Sequence, residues 1–276
     1  MRSRIVDVVQ SWGFPGWVVP DYWFMLTAAI VIASLYTLRV WRSSGGDPRT
    51  VSDLLFWGIP SLLIGARLGY FLQYGFPQSI WEIPSSGGWA LYGGLAGLLT
   101  AWMVVWLLRP FPILRFLDSV TPGLALGLFV GRLGCFLAGC NAGSLCDLPW
   151  AVRFPAGTAA FSHQIRDGIL EPSAGLSLPV HPAQLYESFF GLVAFLLLAR
   201  LLRSRRWEGE VFVNGMIWYS VFRFSIEFVR NDSGGWAPFG ILTFAQMVSL
   251  LLLGLAVVVT LAAPRPQMPG SPATMQ

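Results

Sequence analysis

Residues 127–134 read Gly-Leu-Phe-Val-Gly-Arg-Leu-Gly, an apolar stretch with one charged side chain, Arg132, inside it. Arg67 and Arg223 have the same setting elsewhere in the chain. An arginine at the centre of a membrane helix costs ~2.5–3.5 kcal/mol on insertion scales unless it faces a cavity or an anionic partner. Its planar guanidinium holds a phosphate or a carboxylate through two parallel hydrogen bonds. The sequence therefore predicts a membrane protein that handles an anionic, phosphate-bearing lipid.

The overall composition agrees with a membrane location. Of the 276 residues, 55% are hydrophobic and 12% are charged, and the mean hydropathy is +0.61. A soluble domain carries about 25% charged residues. The net charge of +4 comes from arginines that are spread over short loops, without a basic patch interleaved with aromatic residues. We therefore expect an integral membrane protein and no nucleic-acid partner.

The spacing of the potential metal ligands does not suit a metal site. Cys135, Cys140 and Cys146 lack the paired C-x-x-C spacing of zinc ligands, and neither histidine stands at ligand spacing. We therefore expect neither a metal nor another cofactor. A disulfide between Cys140 and Cys146 is an alternative if their loop lies outside the cytoplasm, because disulfides persist in oxidising compartments.

Seven stretches are long and apolar enough to cross a hydrocarbon core of ~30 Å, which needs about 20 residues in a helix. They are residues 22–40, 54–74, 90–108, 119–138, 184–202, 211–229 and 240–262. The second, fourth and sixth stretches carry the three intramembrane arginines. The predicted fold class is an all-α integral membrane protein with seven transmembrane helices, formed as a single domain by residues 1–263.

Loop arginines predict the orientation, because cytoplasmic loops hold the excess of positive charge. One side of the membrane receives Arg39, Arg42, Arg49, Arg109, Arg115, Arg200, Arg203, Arg205, Arg206 and Arg265. The other side receives Arg2, Arg4, Arg153, Arg166 and Arg230. The N-terminus is therefore predicted outside and the C-terminus in the cytoplasm. The even-numbered stretches then run outward, and their arginines can meet in the outer leaflet.

Two segments lie outside the predicted helices. The proline-containing loop at about residues 139–183 is on the outer side and is expected to form a small extracytoplasmic cap. The tail at residues 264–276 contains four prolines and is expected to be disordered in the cytoplasm.

Glycines surround Arg132 in the segment that runs from Gly131 to Gly143. Glycines let backbone and ligand approach closely, and exposed backbone N–H groups there can add to the grip on a phosphate. Helix packing through small residues is the alternative explanation for Gly127, Gly131 and Gly134. It does not explain the arginine, so we predict a phosphate-binding role for Arg132.

This segment resembles the signature of the prolipoprotein diacylglyceryl transferases. Five ordered blocks at suitable spacing extend the resemblance over most of the chain, namely residues 65–70, 92–95, 147–155, 181–187 and 223–230. The resemblance implies transfer of diacylglyceryl from phosphatidylglycerol to the lipobox cysteine thiol of a prolipoprotein, with release of glycerol phosphate. That reaction is the first step of bacterial lipoprotein maturation. The resemblance also implies a multi-pass protein of the bacterial inner membrane. Its partners would be phosphatidylglycerol, the prolipoprotein signal peptide and the bilayer.

Such chemistry fits a site without a catalytic triad, because the nucleophile is the substrate's own thiol. The enzyme holds the phosphate, stabilises the leaving group and places the thiol near the glycerol carbon. Arg132 and Arg223 suit these catalytic roles, and Tyr92 is the third catalytic candidate. Tyr92 stands where the family usually has a histidine, and a tyrosine is ordinarily protonated at neutral pH. Cys135 and Cys140 stand where the signature usually has an asparagine and a glutamate.

The remaining candidates are assigned to substrate binding together with Arg132. They are Tyr22, Arg67, Gly131, Gly143, Gln184, Tyr186, Glu187, Glu227 and Arg230. Several have structural alternatives. Glu187 can pair with an arginine across the bundle, Glu227 can neutralise Arg223 as an (i, i+4) pair, and Tyr22 can be an interfacial anchor. His181 can simply mark the start of a helix at Pro182.

Two functions fit these residues. The first is the diacylglyceryl transferase, with its site in the outer half of the bundle. The second is a catalytically altered relative that binds or presents anionic phospholipid. Both need phosphate binding, so the arginines favour neither.

Overall fold

The computed structural model describes residues 21–75, 90–230 and 242–262. These ranges contain eight helices: α1 (Tyr22–Ser43), α2 (Pro48–Tyr74), α3 (Leu91–Leu108), α4 (Ile113–Ala138), α5 (Ala159–Arg166), α6 (Ala183–Ser204), α7 (Glu210–Ile226) and α8 (Phe244–Ala262). Extended pairing in the described ranges is limited to isolated bridges. The all-helical class predicted from the sequence is thus confirmed.

Seven of these helices, all except α5, coincide with the seven predicted stretches. Five of them, α1, α2, α4, α6 and α8, are long and apolar enough to cross a membrane. The helices α3 and α7 are shorter, with 18 and 17 residues. The crossing of the membrane by all seven stays a prediction. The predicted tail at residues 264–276 lies outside the described residues.

Two helix ends differ from the sequence prediction. Helix α2 begins at Pro48, well before residue 54, because the Asp47 side chain accepts a hydrogen bond from the backbone N–H of Arg49 and proline suits the first helical position. Helix α7 ends at Ile226 and not at residue 229. The chain leaves the helix there, so that Arg230 pairs in an isolated bridge with Gly143.

The chain divides into two compact units. The first contains residues 1–36 and 117–276, and the second contains residues 37–116. In the first unit, α4 and α6 approach closely where Gly191 faces the backbone of Phe129, and Ser188 donates to the Phe129 carbonyl at 2.9 Å. Helices α6 and α7 meet where the rings of Phe190 and Phe222 stack with centroids 4.0 Å apart.

Helix α1 packs on α4 through small residues. A methyl group on Gly127 would lie 3.3 Å from Ala33 Cβ, and one on Gly134 would lie 2.7 Å from Met25 Cβ. The packing explanation for these glycines is therefore correct. It places Tyr22, the first residue of α1, beside the end of α4 that carries Arg132.

Residues 139–183 fold into a compact segment of the first unit. It contains α5, which Thr158 caps by accepting a hydrogen bond from the backbone N–H of Phe161. Phe154, Ala160 and Val180 form its buried cluster. Isolated bridges join Val180 to both Leu145 and Val152 in this segment. A connection with several prolines therefore has a small core of its own.

In the second unit, α2 and α3 are in close backbone contact. A Cβ atom on Gly65 would lie 2.4 Å from the Gly93 carbonyl oxygen, and a Cβ atom on Gly97 would lie 2.2 Å from the Ser61 carbonyl oxygen. Only glycine allows two helices to approach this closely, as in the small-residue contacts of membrane helices. Arg67 and Tyr92 lie on this pair of helices, next to its contact residues.

Candidate functional site

A single carboxylate, that of Glu187, binds two arginines in the first unit. Its Oε2 atom lies 2.6 Å from Arg132 Nη2, and its Oε1 atom lies 2.6 Å from Arg230 Nη1. Glu187 is in the second turn of α6, Arg132 is near the end of α4, and Arg230 follows α7. The Glu187 side chain is 4% exposed, whereas that of Arg132 is 21% exposed. Arg132 is thus held from one side and still accessible to a ligand.

A third ion pair lies at the end of α7. Arg223 Nη1 is 2.5 Å from Glu227 Oε2, one turn further along the chain. The predicted (i, i+4) pair is therefore present. Phe222 precedes Arg223, and its stacking on Phe190 of α6 places Glu187 and Arg223 at the same end of these two helices.

We define the arginine cluster as Arg132, Arg223, Arg230, Glu187 and Glu227. Among these described residues, three guanidinium groups are paired with two carboxylates. The planar donors of a guanidinium group match the oxygens of a phosphodiester, so this cluster suits a phosphate ligand.

The turn that ends α4 brings Cys135 and Cys140 together. The backbone N–H of Cys140 donates to the Cys135 carbonyl at 3.1 Å, and that of Gly139 donates to Phe136 at 3.2 Å. Gly139 has φ +70°, which glycine adopts without strain. A hydrogen bond donated to the Cys135 sulfur, together with burial, raises the pKa of the Cys140 thiol. Cys140 and Cys146 are both free thiols, so the alternative disulfide between them is not formed.

Gln184 fixes this turn against α6. Its Nε2 atom donates to the Cys140 carbonyl at 2.7 Å, and the whole residue is buried. Its Oε1 atom is buried and has no hydrogen-bond partner among the described residues. Tyr22 also lies within electrostatic range of Arg132, Cys135 and Cys140. Both predicted site residues therefore lie next to the cluster.

The chain around Gly143 joins the 139–183 segment to the end of α7. The Gly143 N–H donates to the His181 carbonyl at 2.9 Å, and the Ser144 N–H donates to the Val229 carbonyl at 2.8 Å. A Cβ atom on Gly143 would lie 2.5 Å from the Val229 carbonyl. Only glycine fits, and the contact holds the neighbouring Arg230 against Glu187.

Tyr186 connects the same segment to α6. Its hydroxyl accepts a hydrogen bond from Trp150 Nε1 at 2.7 Å and lies 3.4 Å from His181 Nδ1. Pro182 is the N-cap of α6, so His181 precedes the helix as well as contacting Tyr186. The sequence analysis did not identify Trp150, which contacts the predicted site residue Tyr186. The one indication in the sequence was that Trp150 lies within the family-like block at residues 147–155.

An apolar cleft of about 330 Å³ lies beside the cluster in the same unit. Leu128, Phe190 and Tyr219 line it, together with residues further along α4, α6 and α7. Leu128 is one turn before Arg132, Tyr219 is one turn before Arg223, and Phe190 is one turn after Glu187. The cleft therefore begins next to the charged groups and continues along three helices.

Comparison with known proteins identifies the family. The sequence model of the prolipoprotein diacylglyceryl transferases matches residues 11–262. The chain belongs to this family. A relative from Methylococcus capsulatus, named phosphatidylglycerol--prolipoprotein diacylglyceryl transferase, is 34% identical over 261 residues, which cover 88% of this chain and 90% of the relative. Relatives of the same name from Pseudoalteromonas translucida and Nitratidesulfovibrio vulgaris are 33% and 35% identical, with about three quarters of each chain covered.

Family membership and the apolar helices together describe a multi-pass bacterial membrane protein. The replacement of a signature glutamate by Cys140 stays a prediction. Glu187 supplies a carboxylate to Arg132 from α6, so Arg132 has an anionic partner.

Two further predicted site residues lie in the second unit. The Arg67 guanidinium lies 5.0 Å from the centroid of the Phe71 ring, a cation–π distance. Tyr92 is 61% exposed near the start of α3. Both are at the level where Gly93 packs on Gly65 and Gly69. Their roles stay predictions.

Asp118 is a structural residue that the sequence reasoning missed. It is fully buried and accepts hydrogen bonds from the backbone N–H groups of Gly209 at 2.8 Å and Phe212 at 3.0 Å, and from Arg205 Nη1 at 3.1 Å. A carboxylate at a helix N-terminus satisfies N–H groups that have no partner within the helix. Asp118 thus anchors the start of α7, at the opposite end from the arginine cluster. An isolated aspartate at the edge of an apolar stretch was the only signal.

Proposed function

We propose that this protein transfers diacylglyceryl from phosphatidylglycerol to the lipobox cysteine thiol of prolipoproteins, the first step of bacterial lipoprotein maturation. The observation that carries the proposal is the bridging of Arg132 and Arg230 by Glu187 beside an apolar cleft. The relatives that match along most of the chain carry the name of this activity.

The lipid fits the site in both of its parts. Its phosphodiester, a monoanion, binds the guanidinium groups of Arg132 and Arg223, and an acyl chain enters the cleft that begins one turn away. The phosphate gives these two guanidinium groups a further anionic partner. Because the acyl chain comes from hydrocarbon and not from water, the cleft orients it through van der Waals packing. Two independent interactions therefore position the glycerol carbon that reacts.

The reaction is a displacement at that carbon. The thiolate of the substrate cysteine forms a C–S bond, the C–O bond to the phosphate breaks, and the electron pair leaves with glycerol phosphate. The thiol proton goes to the released phosphate or to water. Arg132 and Arg223 stabilise the charge on the leaving phosphate and favour the thiolate, because cationic neighbours lower the pKa of a thiol.

The other site residues position these groups. Glu187 orients Arg132 and Arg230, Glu227 orients Arg223, and Gln184 holds the turn after α4. Tyr92 orients the substrate by a hydrogen bond. The remaining members of the proposed substrate-binding set are Tyr22, Arg67, Gly131, Gly143 and Tyr186.

The proposal includes a location in the membrane. The protein crosses the inner membrane seven times, with its N-terminus outside and its C-terminus in the cytoplasm, and residues 139–183 form an extracytoplasmic cap. The distribution of loop arginines supports this orientation. The cluster then faces the compartment in which prolipoproteins are modified.

Complementation of a strain depleted of its own transferase tests the function, with transfer to a lipobox peptide by the purified protein as the second assay. Growth and lipidated peptide are expected from the wild type and from neither an Arg132→Ala variant nor an empty vector. The alternative is a relative that only presents phospholipid, which the replacement of the family histidine by Tyr92 favours. Tight phosphatidylglycerol binding without transfer would establish that alternative.

A further inference from the structure

We propose that Cys135 and Cys140 are a disulfide-forming pair whose oxidation lowers the activity of the neighbouring arginine cluster. Helix α4 ends in a Schellman turn. Cys135 is the third-last helical residue before the cap of this turn, and Cys140 is the second residue after the cap. The hydrogen bond from the Cys140 N–H to the Cys135 carbonyl, at 3.1 Å, defines this turn together with the positive φ of Gly139. Side chains at these two positions are in contact in such turns.

The side-chain contacts agree with this geometry. Cys140 Sγ lies 3.7 Å from the Cys135 carbonyl, and the Asn141 amide lies 3.9 Å from Cys135 Sγ. A disulfide needs Cα atoms about 4.4–6.8 Å apart. The Schellman turn brings the backbone of Cys140 back to that of Cys135, as their 3.1 Å N–H to carbonyl hydrogen bond shows. The two sulfurs can therefore join after a small adjustment of the turn.

The exposure of the two residues sets the order of the chemistry. Cys135 is 8% exposed, whereas Cys140 is half-buried and the easier of the two to reach. The Cys140 thiolate attacks a disulfide oxidant, such as oxidised glutathione, and releases one thiol. The Cys135 thiolate then attacks the Cys140 sulfur and releases the second thiol. The pair loses two protons and two electrons, and the oxidant becomes two thiols.

The environment of Cys140 makes this reaction dependent on pH. Its pKa is raised by the hydrogen bond to Cys135 and by burial, so the thiol remains protonated at neutral pH. Only the thiolate attacks a disulfide. The rate of oxidation therefore rises with pH.

The bridge would act on the site through α4. Arg132 lies one turn before Cys135, and Gln184 of α6 donates to the Cys140 carbonyl. A covalent link between the sulfurs disturbs the hydrogen bond that Cys135 Sγ receives from the Asn141 amide and tightens the helix end. Arg132 then shifts relative to the phosphate. This effect on activity rests on the proposed function, whereas the thiol chemistry does not.

Cys146 provides a matched control. Its N–H donates to the Pro179 carbonyl in the 139–183 segment, away from the turn that joins the other two cysteines. All three cysteines lie between Arg132 and Arg153, so one tryptic fragment carries them. A single fragment therefore reports which thiols have reacted.

The first experiment counts thiols in the purified full-length protein in phosphatidylglycerol nanodiscs. After treatment with oxidised glutathione, the fragment should be lighter by two hydrogens and take up one alkyl group, on Cys146. Cys146→Ser should still form the bridge, and Cys140→Ser and Cys135→Ser should not. Three alkylated cysteines, or a bridge that includes Cys146, would overturn the proposal whether or not the protein is a transferase.

The second experiment measures transfer to a lipobox peptide after the oxidant has been removed. Oxidised wild type and Cys146→Ser should be slower by about ten-fold, the effect of one hydrogen bond lost from the transition state, and dithiothreitol should restore both. Treatment with the oxidant should leave the transfer rate of Cys140→Ser unchanged. Equal rates for bridged and reduced wild type would disprove the switch. If reduced wild type has no transfer activity, the proposed function fails while the thiol count still decides whether the bridge forms.

Discussion

Glu187 Oε2 lies 2.6 Å from Arg132 Nη2, so a carboxylate on α6 fixes a guanidinium on α4 that the membrane environment would otherwise disfavour. The same carboxylate also holds Arg230. One side chain therefore positions two of the three cationic groups of the cluster.

Replacing Glu187 with glutamine should be strongly destabilising. The change keeps the size of the side chain and leaves two guanidinium groups facing each other without a charge between them. Breaking a buried ion pair costs about 3–5 kcal/mol, and we expect a loss of about 3 kcal/mol because Arg132 is partly exposed. Thermal unfolding in detergent measures the loss. The exposed Glu171→Gln is the control and should unfold like wild type, and equal stability of the two variants would contradict the bridging role.

Arg132 should tolerate neither alanine nor lysine. Arg132→Ala should abolish phosphatidylglycerol binding and transfer while the protein still inserts into the membrane. Arg132→Lys should restore little, because an ammonium group cannot contact Glu187 and a phosphate with the forked geometry of a guanidinium. Lipid binding and transfer are measured on both variants, with the exposed Arg166→Lys as the matched substitution. Full activity of Arg132→Lys would refute the assignment.

Asp118→Asn should weaken the start of α7. An amide has one acceptor oxygen where the carboxylate accepts from Gly209, Phe212 and Arg205, so we expect a loss of about 1–3 kcal/mol. Asp53→Asn is the comparison, because Asp53 pairs with the exposed Arg109 and such surface pairs contribute about 0–1 kcal/mol. Unfolding curves that rank the two variants in the opposite order would show that the buried cap contributes little.

Tyr92 should orient the substrate without acting as a base. Loss of one hydrogen bond in Tyr92→Phe should raise the barrier by about 1–2 kcal/mol and slow transfer by roughly ten- to thirty-fold. Tyr92→His should be active, since it restores the usual family residue. Transfer rates across a range of pH test both variants. Complete loss in Tyr92→Phe together with a displaced pH profile in Tyr92→His would identify a general base instead.

The predicted orientation can be tested with reporter fusions. A reporter that is active only outside the cytoplasm should be active when fused after Ile165 and silent when fused after Arg205. The reason is the excess of arginines in the loops predicted to be cytoplasmic. The reverse pattern would invert the topology and place the cluster on the cytoplasmic side.

Local features of the fold were predictable from the sequence. Apolar stretches gave the seven long helices, with α1 beginning at Tyr22, because helix formation in such a chain depends on residues a few positions apart. The Arg223–Glu227 pair followed from its spacing of one turn. The early start of α2 was also encoded locally, in Asp47 and Pro48, but hydropathy alone does not register a helix cap.

Long-range pairings were not predictable to the same degree. Glu187 was expected to meet an arginine, but nothing in its neighbourhood specifies Arg132 or Arg230 on other helices. Asp118 depends on the start of a helix about 90 residues later. Such contacts arise from tertiary packing, and a single sequence contains no local signal for the partner.

The Arg223–Glu227 and Arg132–Glu187 ion pairs can form at different stages of chain synthesis. Helix α7 contains Arg223 and is followed at once by Glu227, so this segment can neutralise its charge as soon as it folds. Helix α4 is synthesised long before Glu187 on α6, so Arg132 lacks this counter-charge until α6 has been made. A chain that stops before residue 183 would leave the Arg132 guanidinium without the carboxylate that it contacts in the finished protein.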